Sequence, residues 1–146
     1  MQSIHIQRLI ALPYFGLGGW CLFAPNMVER MTINPEYQHL SATSALFIGC
    51  FGAQAVLGGL FIWFSRFTRA SFLTYAIALL PFFGFNYYFV YELPILNRWM
   101  ALDFGSNAAM FMLSIWGWRM KIREEAKRLE SGVIGHDNIA DIRSIK

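Results

Sequence analysis

Residues 44–80 read SALFIGCFGAQAVLGGLFIWFSRFTRASFLTYAIALL, two uncharged apolar runs separated by a five-residue break that carries Arg66 and Arg69. The first run is long enough for a helix to cross the hydrocarbon core of a bilayer, which takes about 20 residues. Working outward, the chain holds four such segments, at about 9–24, 44–64, 70–91 and 95–118. A soluble domain of 146 residues, 56% of them hydrophobic, has no interior large enough to hide all four. The fold class predicted is therefore all-α, an integral membrane four-helix bundle followed by a basic helical tail over 119–146.

Charge orients it. Arg8, Arg66, Arg69, Arg119, Lys121, Arg123, Lys127, Arg128, Arg143 and Lys146 fall on one side of the segments, and only Arg30 and Arg98 on the other. Cytoplasmic loops carry the excess of Lys and Arg, so both termini and the Arg66–Arg69 turn are expected in the cytoplasm. The net charge of +3 then reflects membrane orientation, and no nucleic-acid partner is expected. The first segment, broken by Pro13, resembles a signal-peptide core. Pro25-Asn26-Met27 offers no small-x-small cleavage pattern, so the segment is expected to be retained. The placement implied is a multi-pass protein of a bacterial inner (plasma) membrane, with an organellar membrane as the alternative.

Local signals fill in the loops. Asn34-Pro35 marks a turn in the outer loop Asn26 to Thr43, an amphipathic excursion expected to end in a cap at Ser41 or Thr43. Pro81 lies inside segment three, where it removes a backbone donor and kinks the helix. Glu92-Leu93-Pro94 turns the chain into segment four at once, so segments three and four form an antiparallel hairpin with Glu92 paired to Arg98. Ser131-Gly132 is expected to end the tail helix, along which Glu124 pairs with Arg128. Cys21 and Cys50 both lie in the outer half; two separate thiols are favoured over a disulfide.

Segment four holds the one strongly polar group inside a span. Asp103 lies about eight residues in from the outer end, roughly 12 Å deep at 1.5 Å per residue. An ionised Asp there costs about 2.5–3.5 kcal/mol on insertion and normally faces protein. Asn107 is one turn on, and Ser106, Met110 and Ser114 extend the stripe; Ala101, Gly105 and Ala109 line the other face. Hairpin geometry sets Asn86 level with Asp103, and Gln54, which needs a hydrogen-bond partner, lies near that depth. Asp103, Asn107, Asn86 and Gln54, walled by Tyr87 and Tyr88, form the candidate ligand-binding cluster. The plain alternative is a hydrogen-bonded network that holds helix register.

His5, His39 and His136 lie outside the spans, and no His–carboxylate set exists. No metal site, cofactor or catalytic residue is predicted, and an enzyme is disfavoured. The run Arg8-Leu9-Ile10 through Gly18-Gly19-Trp20-Cys21-Leu22-Phe23-Ala24-Pro25, with Gly52-Ala53-Gln54-Ala55-Val56-Leu57-Gly58-Gly59-Leu60-Phe61, resembles the DoxX-like class of small four-helix bacterial membrane proteins. That resemblance covers about the first 65 residues and implies a four-helix bundle with an accessory role in a membrane complex; it supplies no catalytic residue. The small-residue spacing of segment two, Ala45, Gly49 and Ala53, suits close helix packing in lipid. Two functions are expected from these features. One is a non-enzymatic accessory or scaffold subunit in a membrane assembly or homo-oligomer. The other is a binder of an apolar small molecule, such as a quinone, lipid or sterol-like compound, around Asp103.

Overall fold

The computed structural model describes residues 3–143, with side chains for 3–129. It is all-helical, with no named strand among the described residues, and runs α1 (Ser3–Phe23), α2 (Pro25–Thr32), α3 (Ala42–Phe64), α4 (Arg69–Tyr87) and α5 (Ala101–Arg143). The helix starts are set by local chemistry. Ser41 opens α3 with a reciprocal cap: its hydroxyl accepts the Ser44 N–H at 3.1 Å, and its own N–H reaches the Ser44 hydroxyl at 3.1 Å. Thr68 and Ser71 repeat the arrangement at α4, at 3.1 and 3.2 Å. Each cap satisfies donors that a helix start leaves unpaired. Pro25 begins α2, where its missing N–H costs nothing. Beyond Pro81, α4 loosens into a π-helical turn over Tyr88–Glu92.

Spatial order differs from chain order. α1 lies between α3 and α5, α4 packs on α5, and α2 packs on α3. α1 and α3 meet backbone to backbone at Gly18 and Gly52. A methyl built on Gly52 would strike the Leu22 nitrogen and stand 2.6 Å from the Gly18 oxygen. One core draws on all four long helices, through Ile6, Ile10 and Ala11 of α1, Ile62 of α3, Phe72 and Leu79 of α4, and Met110 of α5. Phe72, fully buried, lies over Gly117, where any side chain would collide with its ring. Inside this core the Tyr75 hydroxyl donates to the Tyr14 hydroxyl at 2.9 Å.

Two helical stretches, Ala42–Phe64 and Arg69–Glu92, are long and apolar enough to cross a membrane, and only 17% of the most apolar window of each is buried. Their outer faces present Phe47, Phe51, Phe61 and Phe64 from α3 and Ile77, Leu80 and Phe82 from α4. α1 and α5, also expected as spans, carry Gln7 and Arg8 or Asp103 and Asn107 within their length.

The structure revises several local expectations. Helix α5 starts at Ala101 rather than Ile95, because the connection from α4 is bolted to the outer loop. The Asn34 N–H donates to the Ile95 carbonyl (2.8 Å), the Asn34 amide to Pro94 (2.6 Å) and the Asn97 amide to Met31 (2.6 Å). Glu92 does not pair with Arg98; it accepts the Tyr87 hydroxyl at 3.4 Å. α5 continues past Ser131-Gly132 to Arg143, since each glycine inside a helix costs only about 1 kcal/mol. Glu124 pairs with Lys121 at 3.6 Å rather than with Arg128. Both cysteines are free.

Candidate functional site

The polar cluster forms where α4 ends and α5 begins. Asn86 occupies the last turn of α4, and Asp103 falls in the first turn of α5. Asp103 is therefore less deep along its helix than the sequence suggested, close to the helix N-terminus. The Asn86 amide donates to Asp103 Oδ2 at 2.8 Å, and the Asn107 amide, one turn along α5, donates to the same oxygen at 2.9 Å. Asn86 also donates to the Phe82 carbonyl at 3.1 Å. Both asparagines are buried, and Asp103 is half-buried. Asn86 Oδ1 is buried with no hydrogen-bond partner. The Ser106 hydroxyl donates to the Asp103 carbonyl at 2.9 Å.

Around the cluster, Phe83 of α4 packs edge-on against Phe104 and Phe111 of α5, at 5.4 and 6.1 Å between ring centres. Of the two amides that converge on this carboxylate oxygen, Asn86 bridges α4 to α5, while Asn107 braces the carboxylate from within α5. Among the described residues, no second carboxylate, histidine or amine hydrogen-bonds to Asp103. The sequence-predicted residues thus separate into two groups. Asp103, Asn107 and Asn86 come together. Gln54 does not join them: it is exposed on α3, and α1 stands between α3 and α5. Tyr87 and Tyr88 are exposed and pair with other rings, Tyr87 tilted against Tyr91 at 5.5 Å and Tyr88 edge-on to Phe89 at 5.1 Å.

Three polar arrangements escaped the sequence reading. Gln7 is buried in α1 and staples the α3–α4 turn. Its amide donates to the Ile62 carbonyl and to Ser65 O at 2.7 Å, and its oxygen accepts the Phe67 N–H at 2.9 Å. The available signal was its position one residue after Ile6 and three before Ile10, on the buried face. Glu29, also buried, organises the outer loop by accepting the His39 N–H at 2.9 Å and the Ser44 hydroxyl at 2.6 Å. The third lies at the opposite end. Glu124 accepts the Ser3 N–H and the Ser3 hydroxyl, both at 2.8 Å. Partial burial works against its charged form, but the two Ser3 bonds and Lys121 outweigh it and hold the Glu124 carboxyl below its ordinary value.

Among the described residues, no group of three or more His, Cys, Asp or Glu side chains is placed to hold a metal ion. No family model, curated protein or solved structure matches the chain.

Proposed function

We propose that this chain is an integral membrane scaffold or accessory subunit. In this reading α1, α3, α4 and α5 cross a bacterial inner membrane as a four-helix bundle with both termini cytoplasmic. The bundle assembles laterally with other membrane subunits or with copies of itself. The DoxX-like resemblance of the first 65 residues belongs to the same proposal. Exposed aromatic and aliphatic faces on α3 and α4 support lipid as the surrounding solvent, since soluble monomers rarely expose apolar patches larger than a few hundred Å².

The observation that carries the scaffold reading is Gln54. It lies at the middle of the apolar helix α3, exposed, and makes no hydrogen bond to any described residue. In hydrocarbon an amide gains by finding a partner on a neighbouring helix, worth about 1–2 kcal/mol in model peptides. Close by, Gly49 has nothing within 4 Å of where a side chain would begin, and the same is true of Gly105 in the exposed row Ala101, Gly105 and Ala109 on α5. Both surfaces have room for another helix. Native mass measurement in detergent tests this. Gln54→Leu is expected to weaken assembly about 5- to 30-fold while leaving the monomer fold unchanged, and Gly105→Leu to block a second contact. A strictly monomeric wild type without co-purifying subunits would overturn the reading.

A second reading, a binder of an apolar molecule bearing a hydroxyl donor, such as a sterol-like lipid or a quinol, draws on the unpartnered Asn86 Oδ1. Its test is the lipid profile that co-purifies with the chain. If Asp103→Asn and Asn86→Ala leave that profile unchanged, this second reading falls.

A further inference from the structure

At the end of the molecule opposite the asparagine–aspartate cluster, the first turns of α1, the α3–α4 turn and residues 121–128 of α5 line an open cavity of about 480 Å³. Its lining is unusual for so small a chain. Arg66 lines it from the turn, and Lys121 and, two turns later on α5, Lys127 and Arg128 line it together with the carboxylate of Glu124. That carboxylate is already committed. One oxygen accepts the Ser3 N–H, the other the Ser3 hydroxyl, and the second lies 3.6 Å from Lys121. Among the described residues, neither Arg66 nor Arg128 has an ion-pair partner, whereas the neighbouring Arg69 is held by Glu125 at 3.6 Å. The site therefore holds two guanidinium groups, Arg66 and Arg128, that no described residue pairs in a salt bridge.

We infer that this cavity is a binding site for a phosphate-ester anion, with Arg66 and Arg128 as its principal ligands. Guanidinium forks match tetrahedral oxyanions in paired N–H···O bonds, as a carboxylate-poor basic pocket requires. Basic pockets between helices on the cytoplasmic side of a membrane recognise anionic headgroups by this chemistry. Exposed apolar side chains neighbour the two arginines in sequence: Phe64, two residues before Arg66, is 79% exposed, and Leu129, directly after Arg128, is 73% exposed. A phosphodiester lipid would add acyl-chain contacts to the guanidinium bonds, whereas a free phosphate would use the arginines alone. The site is separate from the assembly surface proposed above; only the lipid source depends on the membrane reading.

The test uses the full chain in nanodiscs of phosphatidylcholine with or without phosphatidylglycerol, read by native mass spectrometry, alongside calorimetric titration with inorganic phosphate in detergent. Phosphatidylglycerol is expected to be retained in preference to phosphatidylcholine. Arg66→Gln and Arg128→Gln should each lower that retention about fivefold, and together roughly 25-fold. Arg66→Lys with Arg128→Lys should restore part of it, and Arg30→Gln with Arg98→Gln, at the other end, should have no effect. Binding of inorganic phosphate without any lipid preference would identify a soluble phosphate as the source, and would stand even if the chain proved soluble without detergent. The inference is overturned if neither anion binds. It is equally overturned if the double glutamine variant, with a melting temperature like wild type, retains either anion as wild type does.

Discussion

Replacing Gly52 with alanine tests how α1 and α3 are joined. The added methyl would meet three backbone atoms: the Leu22 nitrogen, the Gly18 oxygen at 2.6 Å and the Cys21 carbonyl carbon at 2.8 Å. No rotamer change relieves this, because every obstructing atom is main chain. To reach the 3.4 Å of ordinary contact from Gly18 O, α1 must retreat by at least about 0.8 Å. A gap of 0.5–1 Å forfeits about a quarter to a half of each contact's attraction, and the loss extends along the helix pair. Overpacking of this kind costs about 1–3 kcal/mol and occasionally more; with rigid backbone on both sides, about 3 kcal/mol is expected. At 2–4 °C per kcal/mol for a chain of roughly this size, the melting temperature in detergent should fall by about 6–12 °C. Gly49→Ala is the matched control, in the same helix with nothing within 4 Å of the new methyl, and should leave melting unchanged or slightly higher. Tryptophan fluorescence during thermal unfolding measures both. If the two variants melt together, α1 does not seat against α3 at Gly18 and Gly52, and the order of helices described above is wrong.

Gln7→Leu strips the Phe67 N–H and two carbonyls of their partner and should destabilise by about 2–3 kcal/mol, with faster amide exchange confined first to the α3–α4 turn. Unchanged exchange there would show that the turn holds without the staple. Asp103→Ala takes the partner of the Asn107 amide and leaves Asn86 with only the Phe82 carbonyl, and should cost about 2–3 kcal/mol, against about 1 kcal/mol for Asp103→Asn, which keeps an acceptor oxygen; equal losses in denaturant titrations would argue that the carboxylate bonds add nothing to stability. Because the folded state holds the Glu124 carboxyl below its ordinary value of 4.5, its contribution is complete above that value and disappears as the pH falls through the lowered one. The melting difference between wild type and Glu124→Gln should therefore vanish on acidification, and a difference constant with pH would refute the assignment.

Much of this architecture was legible along the chain, and the residues show where legibility stopped. α3 and α4 begin within a few residues of the apolar runs because their caps, Ser41 and Thr68, are local. The Asp103–Asn107 pair follows from one helical turn, and Asn86 follows from the hairpin. What failed was decided by partners distant in sequence. α1 extends back to Ser3, where Glu124 receives it from 121 residues away. α5 is delayed to Ala101 by Asn34 and Asn97, which tie the connection to the outer loop across some 60 residues. Gln54 was placed in the wrong company because depth along a span can be counted from sequence, whereas which helix stands beside which cannot.

The interior position of α1 bears on how the chain is built. It precedes both of its neighbours during synthesis, yet it supplies the wall on which each must later settle. α3 can dock as soon as it has been made, leaving the flank of Ile6 and Ile10 waiting for Phe72, Leu79 and Met110. In the membrane reading proposed above, that flank stays open to lipid, to chaperones of the insertion machinery or to the matching flank of another nascent chain until the final hairpin arrives. Mistakes in biogenesis should therefore concentrate in the interval between release of residue 65 and delivery of α5.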